Sequence, residues 1–215
     1  MTTTVQSSVD YTVLASDEQV YQTAAALKAR GFNVEIVDTA AEALEKIKAL
    51  IPDGASIMTR ASETLQHIGF EAALVAKDHP WNNLKDEILA ETDFERQAHL
   101  RRSSILAPYY LGSVQAIAQT GEIVIASASA SGSQLPAYAF SSPNVIWVAG
   151  IQKIVATLED ALRRVREYSF VREDEKWKAL GYLGSLLAKI LILEHESPMM
   201  GRNVTLILVK EQVGV

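Results

Sequence analysis

The first seventy residues alternate short apolar segments with helices whose starts are written into the chain, and few folds accept that rhythm. Ser16-Asp17-Glu18-Gln19 fits a capping box, with Ser16 as N-cap and Gln19 reaching back, and Val20, Ala24 and Leu27 follow at helical spacing. Phe32 to Val37 (FNVEIV) alternates as a strand does. Thr39-Ala40-Ala41-Glu42 makes a second capping box, Ala43, Leu44, Ile47 and Leu50 share one helical face, and Pro52 stands beyond its end. A Pro52-Asp53-Gly54 turn leads into a short buried strand, Ala55 to Thr59. Ser62 then caps a helix over Glu63 to Ile68 that Gly69 ends in the left-handed conformation. Helix, strand, helix, strand, helix with short connections predicts an α/β fold. The expected form is a Rossmann-like, mostly parallel sheet with helices on both faces.

The rest of the chain extends this pattern. Trp81 to Ile105 reads as helical, broken near Ala90, with a third capping box at Thr92-Asp93-Phe94-Glu95 and a solvated, strongly charged face. Pro108 to Gly112 resumes the sheet, Ser113 to Ala118 reads as a short helix, and Gln119-Thr120-Gly121 as a tight turn before the apolar strand Glu122 to Ala126. SASASGSQ, residues 127 to 134, is the one low-complexity stretch and reads as a mobile loop over the carboxyl edge of the sheet. Val145 to Ala149 is a buried strand, Thr157 opens a helix, 172–196 has no clear pattern, and Val204 to Val209 is a last strand placed near a sheet edge. The organisation expected is a flexible N-terminus over 1–15 and a single α/β domain over 16–215, with a helical insertion around 81–105.

Composition narrows the function. The 215 residues carry a formal charge of −6, which argues against nucleic acid or an anionic membrane as the main partner. Cysteine is absent, so this chain has no thiolate for a disulfide, an iron–sulfur cluster or a nucleophile. The N-terminal residues lack the basic and apolar regions of a secretory signal, and no run of about 18 apolar residues offers a membrane span, so a cytoplasmic protein is expected. The four histidines (His67, His79, His99 and His195) are scattered, without the spacing of a metal site. G-x-S-x-G, G-x-G-x-x-G and Walker A sequences do not occur, and no cofactor is expected.

Two polar loops carry the candidate chemistry. In the first, Thr59, Arg60, Ser62 and Thr64 place hydroxyls, a guanidinium and a helix N-terminus together, a combination that receives anions; helix capping with a solvated Arg60 accounts for the same residues. The second runs from Gly112 and Ser113 to Thr120, Gly121 and Glu122. Both follow strands, so both are expected at the carboxyl edge, where open α/β folds bind ligands. Glu63 and Glu122 are the carboxylates of these loops and the candidate acid–base or nucleophilic groups. Alternatively, Glu63 is a favourable first-turn acid and Glu122 merely flanks a strand.

Three ordered motifs resemble the LUD-domain family, the lactate-utilisation proteins typified by LutC and YkgG. Ser62, Thr64, Leu65 and Gly69 match the first; Ala118, Thr120, Gly121 and Glu122 the second; Val148, Ala149, Gly150, Lys153, Ile154 and Val155 the third. The resemblance spans about residues 20 to 210, and toward the C-terminus Lys189, Glu194, Gly201 and Arg202 match one branch of the family. It implies the fold of NagB, ribose-5-phosphate isomerase and the CoA transferases, in which the loop equivalent to 59–64 holds phosphate or carboxylate. It also implies a role in organic-acid, lactate-type metabolism, with a small anionic metabolite at the carboxyl edge and a homodimer. Two alternatives follow from the same resemblance: an accessory subunit of an iron–sulfur lactate-oxidising complex, and a CoA-transferase-like or sugar-phosphate-isomerase-like enzyme.

Overall fold

A computed structural model describes residues 9–128 and 134–215. Its elements in order are α1 (Asp17–Ala29), β1 (Asn33–Val37), α2 (Ala40–Leu50), β2 (Ser56–Thr59), α3 (Glu63–His67), α4 (Phe70–Ala76), β3 (Asn82–Asn83), α5 (Leu84–Ala90) and α6 (Phe94–Ser103). Then come β4 (Tyr109–Gly112), β5 (Ala116–Ala118), β6 (Ile123–Ala128), α7 (Gln134–Pro136), β7 (Asn144–Gly150), β8 (Ile154–Val155), α8 (Leu158–Arg164), α9 (Phe170–Ala179), β9 (Leu187–Leu193) and β10 (Asn203–Val209). The loop reading for 127–134 falls largely on residues 129–133, which lie outside the described residues, as do the first eight of the N-terminal stretch.

A six-stranded sheet in the order β1-β10-β7-β4-β2-β3 forms the frame, and all its pairings are parallel. Alternation along its strands builds two cores. Ile57, Leu111, Ile146, Val148, Ile207 and Val209 face α2, α3 and α4, which contribute Ala43, Ile47, Leu65, Phe70 and Leu74. Met58, Tyr110, Val145, Trp147, Leu206 and Leu208 face the other way, against Val20, Ala24 and Leu27 of α1 and Ile88 of α5. That second face also carries a feature absent from the expected architecture. A four-stranded sheet, β8-β5-β6-β9, packs Ile117, Ile123 and Ile125 into the same core, and Ala161 of α8 and Val165 just after it cover the far side.

Three expectations are corrected. Residues 116–118 form a strand, not part of a helix, and β5 pairs antiparallel with β6 around the Gln119–Glu122 turn. All three of its residues are fully buried, a pattern that a short amphipathic helix does not produce. The last strand, β10, lies between β1 and β7 rather than near an edge, because Val204 to Val209 is apolar on both faces and only an interior position buries both. In the charged segment the N-cap is Asp93, whose carboxylate accepts from the amide of Arg96 at 2.8 Å, one residue later than the expected Thr92. The other N-caps stand where expected, but the second box is half formed, because Glu42 accepts from the amide of Asp38 rather than that of Thr39. Ser16 and Gln19 complete their reciprocal box, Thr39 accepts from Glu42, Ser62 accepts from Leu65, and Gly69 has φ 79°.

Candidate functional site

Strands β7, β4 and β2 are neighbours and parallel, so the segments leaving their carboxyl ends emerge side by side. The segment after β2 carries Arg60, Ser62, Glu63 and Thr64. Ser113 follows β4 directly, and Lys153 follows β7 within the short 3₁₀ turn Ile151–Lys153. Arg60, Ser62, Glu63, Thr64, Gly112, Ser113 and Lys153 all line one cavity of about 310 Å³. Its opposite wall comes from α9, with Arg172, Glu173, Lys176 and Trp177, and from Ile125 to Ala128 of the smaller sheet.

At the floor three polar atoms meet in a triangle. Lys153 Nζ lies 3.0 Å from Thr64 Oγ1 and 3.0 Å from Ser113 Oγ, and Thr64 Oγ1 donates to Ser113 Oγ at 3.0 Å. Lys153 is only 2% exposed. Burial lowers its amine to about 7, the nearby Arg164 charge adds to the drop, and Glu63 opposes it. No carboxylate reaches the ammonium within ion-pair distance among the described residues; hydroxyls alone touch it. Sequence reasoning left Lys153 out of the candidate residues. The available signal was a lone lysine within VIWVAGIQKIV, where a strand buried on both faces leaves no obvious route to solvent.

Glycines give the triangle its room. A Cβ on Gly112 would sit 1.8 Å from Tyr138 Oη, which donates to Leu111 O at 3.3 Å. Gly214, at φ 69°, lies against Thr64, where a Cβ would come within 2.1 Å of Oγ1. Its amide donates to His67 Nδ1 at 3.1 Å, which anchors His67 outside the cavity lining. Gln152 Nε2 holds the same segment by donating to Val213 O and Gly214 O at 3.1 and 3.2 Å.

Arg164 supports the cavity from behind. Fully buried, it donates to Gln115 O and, at 3.0 Å, to Ser169 Oγ, and both of those residues line the cavity. Its guanidinium stacks on Tyr168 and Tyr11, with ring centroids 5.1 and 5.8 Å away.

The remaining predicted residues divide. Ser62 spends its hydroxyl on the cap of α3, and Glu63 is partly exposed, 3.9 Å from His67 Nε2. Thr59 is buried within the sheet and does not line the cavity; its Oγ1 has no hydrogen-bond partner among the described residues. Thr120, Gly121 and Glu122 form the turn of the β5–β6 hairpin, beside the end of α1 and away from the cavity lining. There Arg30 donates to Glu122 Oε1 at 2.6 Å and to Thr120 O at 2.8 Å, and Thr120 Oγ1 bonds the same carboxylate. Burial works to raise Glu122, but Thr120, a backbone amide and Arg30 outweigh it and hold the carboxyl below its ordinary range. The two predicted loops therefore share an edge only through Gly112 and Ser113. Their second half is displaced because a hairpin, not a helix, follows Ser113.

Among the described residues no group of three His, Asp or Glu side chains is placed to hold a metal ion, and no helix is long and apolar enough to cross a membrane. The family model described as the LUD domain matches residues 20–184. A solved structure, that of a DUF162 family protein from Deinococcus radiodurans, is similar with a TM-score of 0.55 and 14% identity. The similarity covers 92% of this chain and 99% of that one, and shows the fold. No curated protein matches the chain.

Proposed function

The chain belongs to the LUD-domain family, and on that premise we propose that it binds a small anionic metabolite of organic-acid metabolism in the cavity at the carboxyl ends of β2, β4 and β7. The candidate ligands are a hydroxy or keto acid and a phosphorylated or CoA-linked acid. One observation carries this reading: the cavity gathers four basic side chains, Arg60, Lys153, Arg172 and Lys176, against two acidic ones, Glu63 and Glu173. Trp177 Nε1 donates to Glu173 at 2.7 Å and holds that carboxylate on α9. Hydroxyls of Thr64 and Ser113 at the floor can donate to the oxygens of a carboxylate or phosphate, and Arg60, Arg172 and Lys176 line the same cavity.

A thermal-shift series with lactate, pyruvate, sugar phosphates and acyl-CoA esters tests it. Free ligand at about 100 times Kd stabilises by about 2.7 kcal/mol, and each kcal/mol moves Tm by roughly 2–4 °C in a chain of this size. No shift with any of these compounds at millimolar concentration overturns the reading.

A second reading, an accessory subunit that docks on an iron–sulfur oxidoreductase, has one observation in its favour. Leu180, Tyr182, Leu183 and Leu186 stand exposed between α9 and β9, next to the cavity wall. Leu183→Asp then abolishes co-purification with the oxidoreductase subunit while leaving ligand-induced shifts intact. A complex that survives the substitution removes this patch as its basis.

A further inference from the structure

We propose that Ser113, Lys153 and Thr64 form a nucleophile, base and positioning group for acyl transfer, so that the cavity hydrolyses an ester or thioester of a small carboxylic acid. The proposal deepens the anion-site reading and rests on it. A serine nucleophile needs a base within about 2.6–3.2 Å and a third group that orients that base. Lys153 Nζ stands 3.0 Å from Ser113 Oγ, and Thr64 Oγ1 stands 3.0 Å from both. Ser113 is partly exposed and faces the cavity, whereas Lys153 and Thr64 are buried behind it, the order in which a substrate would meet them.

A neutral amine lets the three groups close a ring, whereas an ammonium donates to both hydroxyls and the Ser113 hydroxyl turns to Val114 O at 3.4 Å. With a neutral amine, the Ser113 hydroxyl donates to Nζ, an Nζ hydrogen donates to Thr64 Oγ1, and the Thr64 hydroxyl donates to Ser113 Oγ. Each member gives one bond and takes one. An ammonium breaks that ring, because Nζ can then accept nothing. Burial favours the neutral form, as does the Arg164 charge behind the cavity.

The reaction follows from the geometry and balances. Nζ takes the Ser113 proton as Oγ bonds to the acyl carbon. The carbon–sulfur or carbon–oxygen bond to the leaving group breaks, and the departing thiolate or alkoxide receives the proton from Nζ. Water then attacks the seryl ester, its proton passing to Nζ. The ester bond breaks, Oγ regains that proton, and the acid leaves. Net, one water is consumed and one acid and one thiol or alcohol are formed. Arg60, at the rim of the same cavity, is placed for a carboxylate or phosphate elsewhere on the substrate.

A short-chain alkyl fluorophosphonate, followed by peptide mapping, tests the assignment, with hydrolysis of acetyl-CoA and p-nitrophenyl acetate as a second readout. The wild-type chain is phosphonylated at Ser113, at a rate that rises with pH through about 7 as the amine loses its proton. Lys153→Met lowers that rate by roughly 10²–10⁴-fold. Thr64→Val lowers it less, and Thr64→Ser, which keeps the hydroxyl, restores it. Ser113→Ala abolishes both labelling and turnover, and a far-UV circular dichroism spectrum and Tm like those of the wild type establish that it folds. Labelling at another residue, labelling of Lys153→Met at the wild-type rate, or neither labelling nor turnover overturns the triad. If thermal shifts persist in that event, the anion site stands without it; if they are absent too, both fall.

Discussion

Two ionisable side chains, Glu122 at the hairpin turn and Lys153 beside the cavity, are shielded from water and handled in opposite ways. At the hairpin turn, the Glu122 carboxylate is 12% exposed and meets Arg30 at 2.6 Å, the Thr120 hydroxyl and a backbone amide, so its charge is stabilised. At the carboxyl edge of the larger sheet, Lys153 is more deeply buried and has only two hydroxyls, so its charge is suppressed. A buried ion with a counter-ion holds structure together; one that lacks it is destabilising and can exchange its proton near neutral pH. Both residues fall within the family-like motifs. The surroundings, not residue type, separate the structural one from the chemical one.

The largest effect expected of this difference is on the pH dependence of stability. Lys153 titrates near 7 when folded and near 10.5 when unfolded. The unfolded chain therefore binds more protons between those values, and stability rises with pH across that window. Lys153→Met removes this dependence. Its Tm exceeds that of the wild type by the most at pH 7 and below, where the gain is on the order of several kcal/mol, and the two converge near pH 10. Denaturant titrations at pH 6, 8 and 10 measure it. A constant gap across all three places the origin of the stability difference elsewhere.

The hairpin should respond in the opposite direction. Glu122→Gln leaves the Arg30 guanidinium partly buried without its main counter-charge, at a cost of about 1–3 kcal/mol. Since the folded carboxyl is held below its ordinary range, its contribution is present above that range and is lost as pH falls below it. Chemical denaturation at pH 7 and pH 3 detects both parts. Phosphonylation of Ser113 in this variant stays at the wild-type rate, and a large fall would reconnect the hairpin turn to the chemistry.

How much of this contrast could be read from the sequence depended on range. Ser16, Thr39 and Ser62 were readable as caps because a cap involves residues two or three apart, and Gly69 because its left-handed φ is a local demand. The parallel sheet followed from the alternation of elements. Strand order did not: nothing within Val204–Val209 says that β10 pairs with β1 and β7, and its two-sided hydrophobicity was the one clue to an interior place. Arg60, Thr64, Gly112 and Ser113 were named from the sequence and line the cavity, yet Lys153 is 40 residues from Ser113 and 89 from Thr64. Only the adjacency of β7, β4 and β2 brings them together. The hairpin residues were misplaced for a related reason. Three buried residues are too few to distinguish a strand from a helical turn.

A smaller effect tests how tightly Thr64 must be held. Gly214→Ala combines a left-handed φ of 69° with a Cβ 2.1 Å from Thr64 Oγ1. Strain of about 1–2 kcal/mol in stability is expected, measured by urea denaturation. Thr64 must also yield, so Ser113 labelling slows along with it. Unchanged labelling would show that the third corner of the triangle is dispensable.

The smallest effect concerns Glu63, a carboxylate of the same cavity whose charge acts on Lys153. Its charge raises the amine, opposing burial and Arg164. Glu63→Gln removes that opposition, so the amine becomes neutral at lower pH and the acid limb of the labelling profile moves toward lower pH. The displacement is modest, because Glu63 is 36% exposed and solvent screens it. Rates of Ser113 phosphonylation between pH 5 and 9 resolve the limb. A shift to higher pH would contradict the electrostatic arrangement around Lys153. A uniform hundred-fold loss at every pH would mean that the carboxylate, rather than the amine, moves the proton. The contrast between Glu122 and Lys153 would then no longer mark where the chemistry lies.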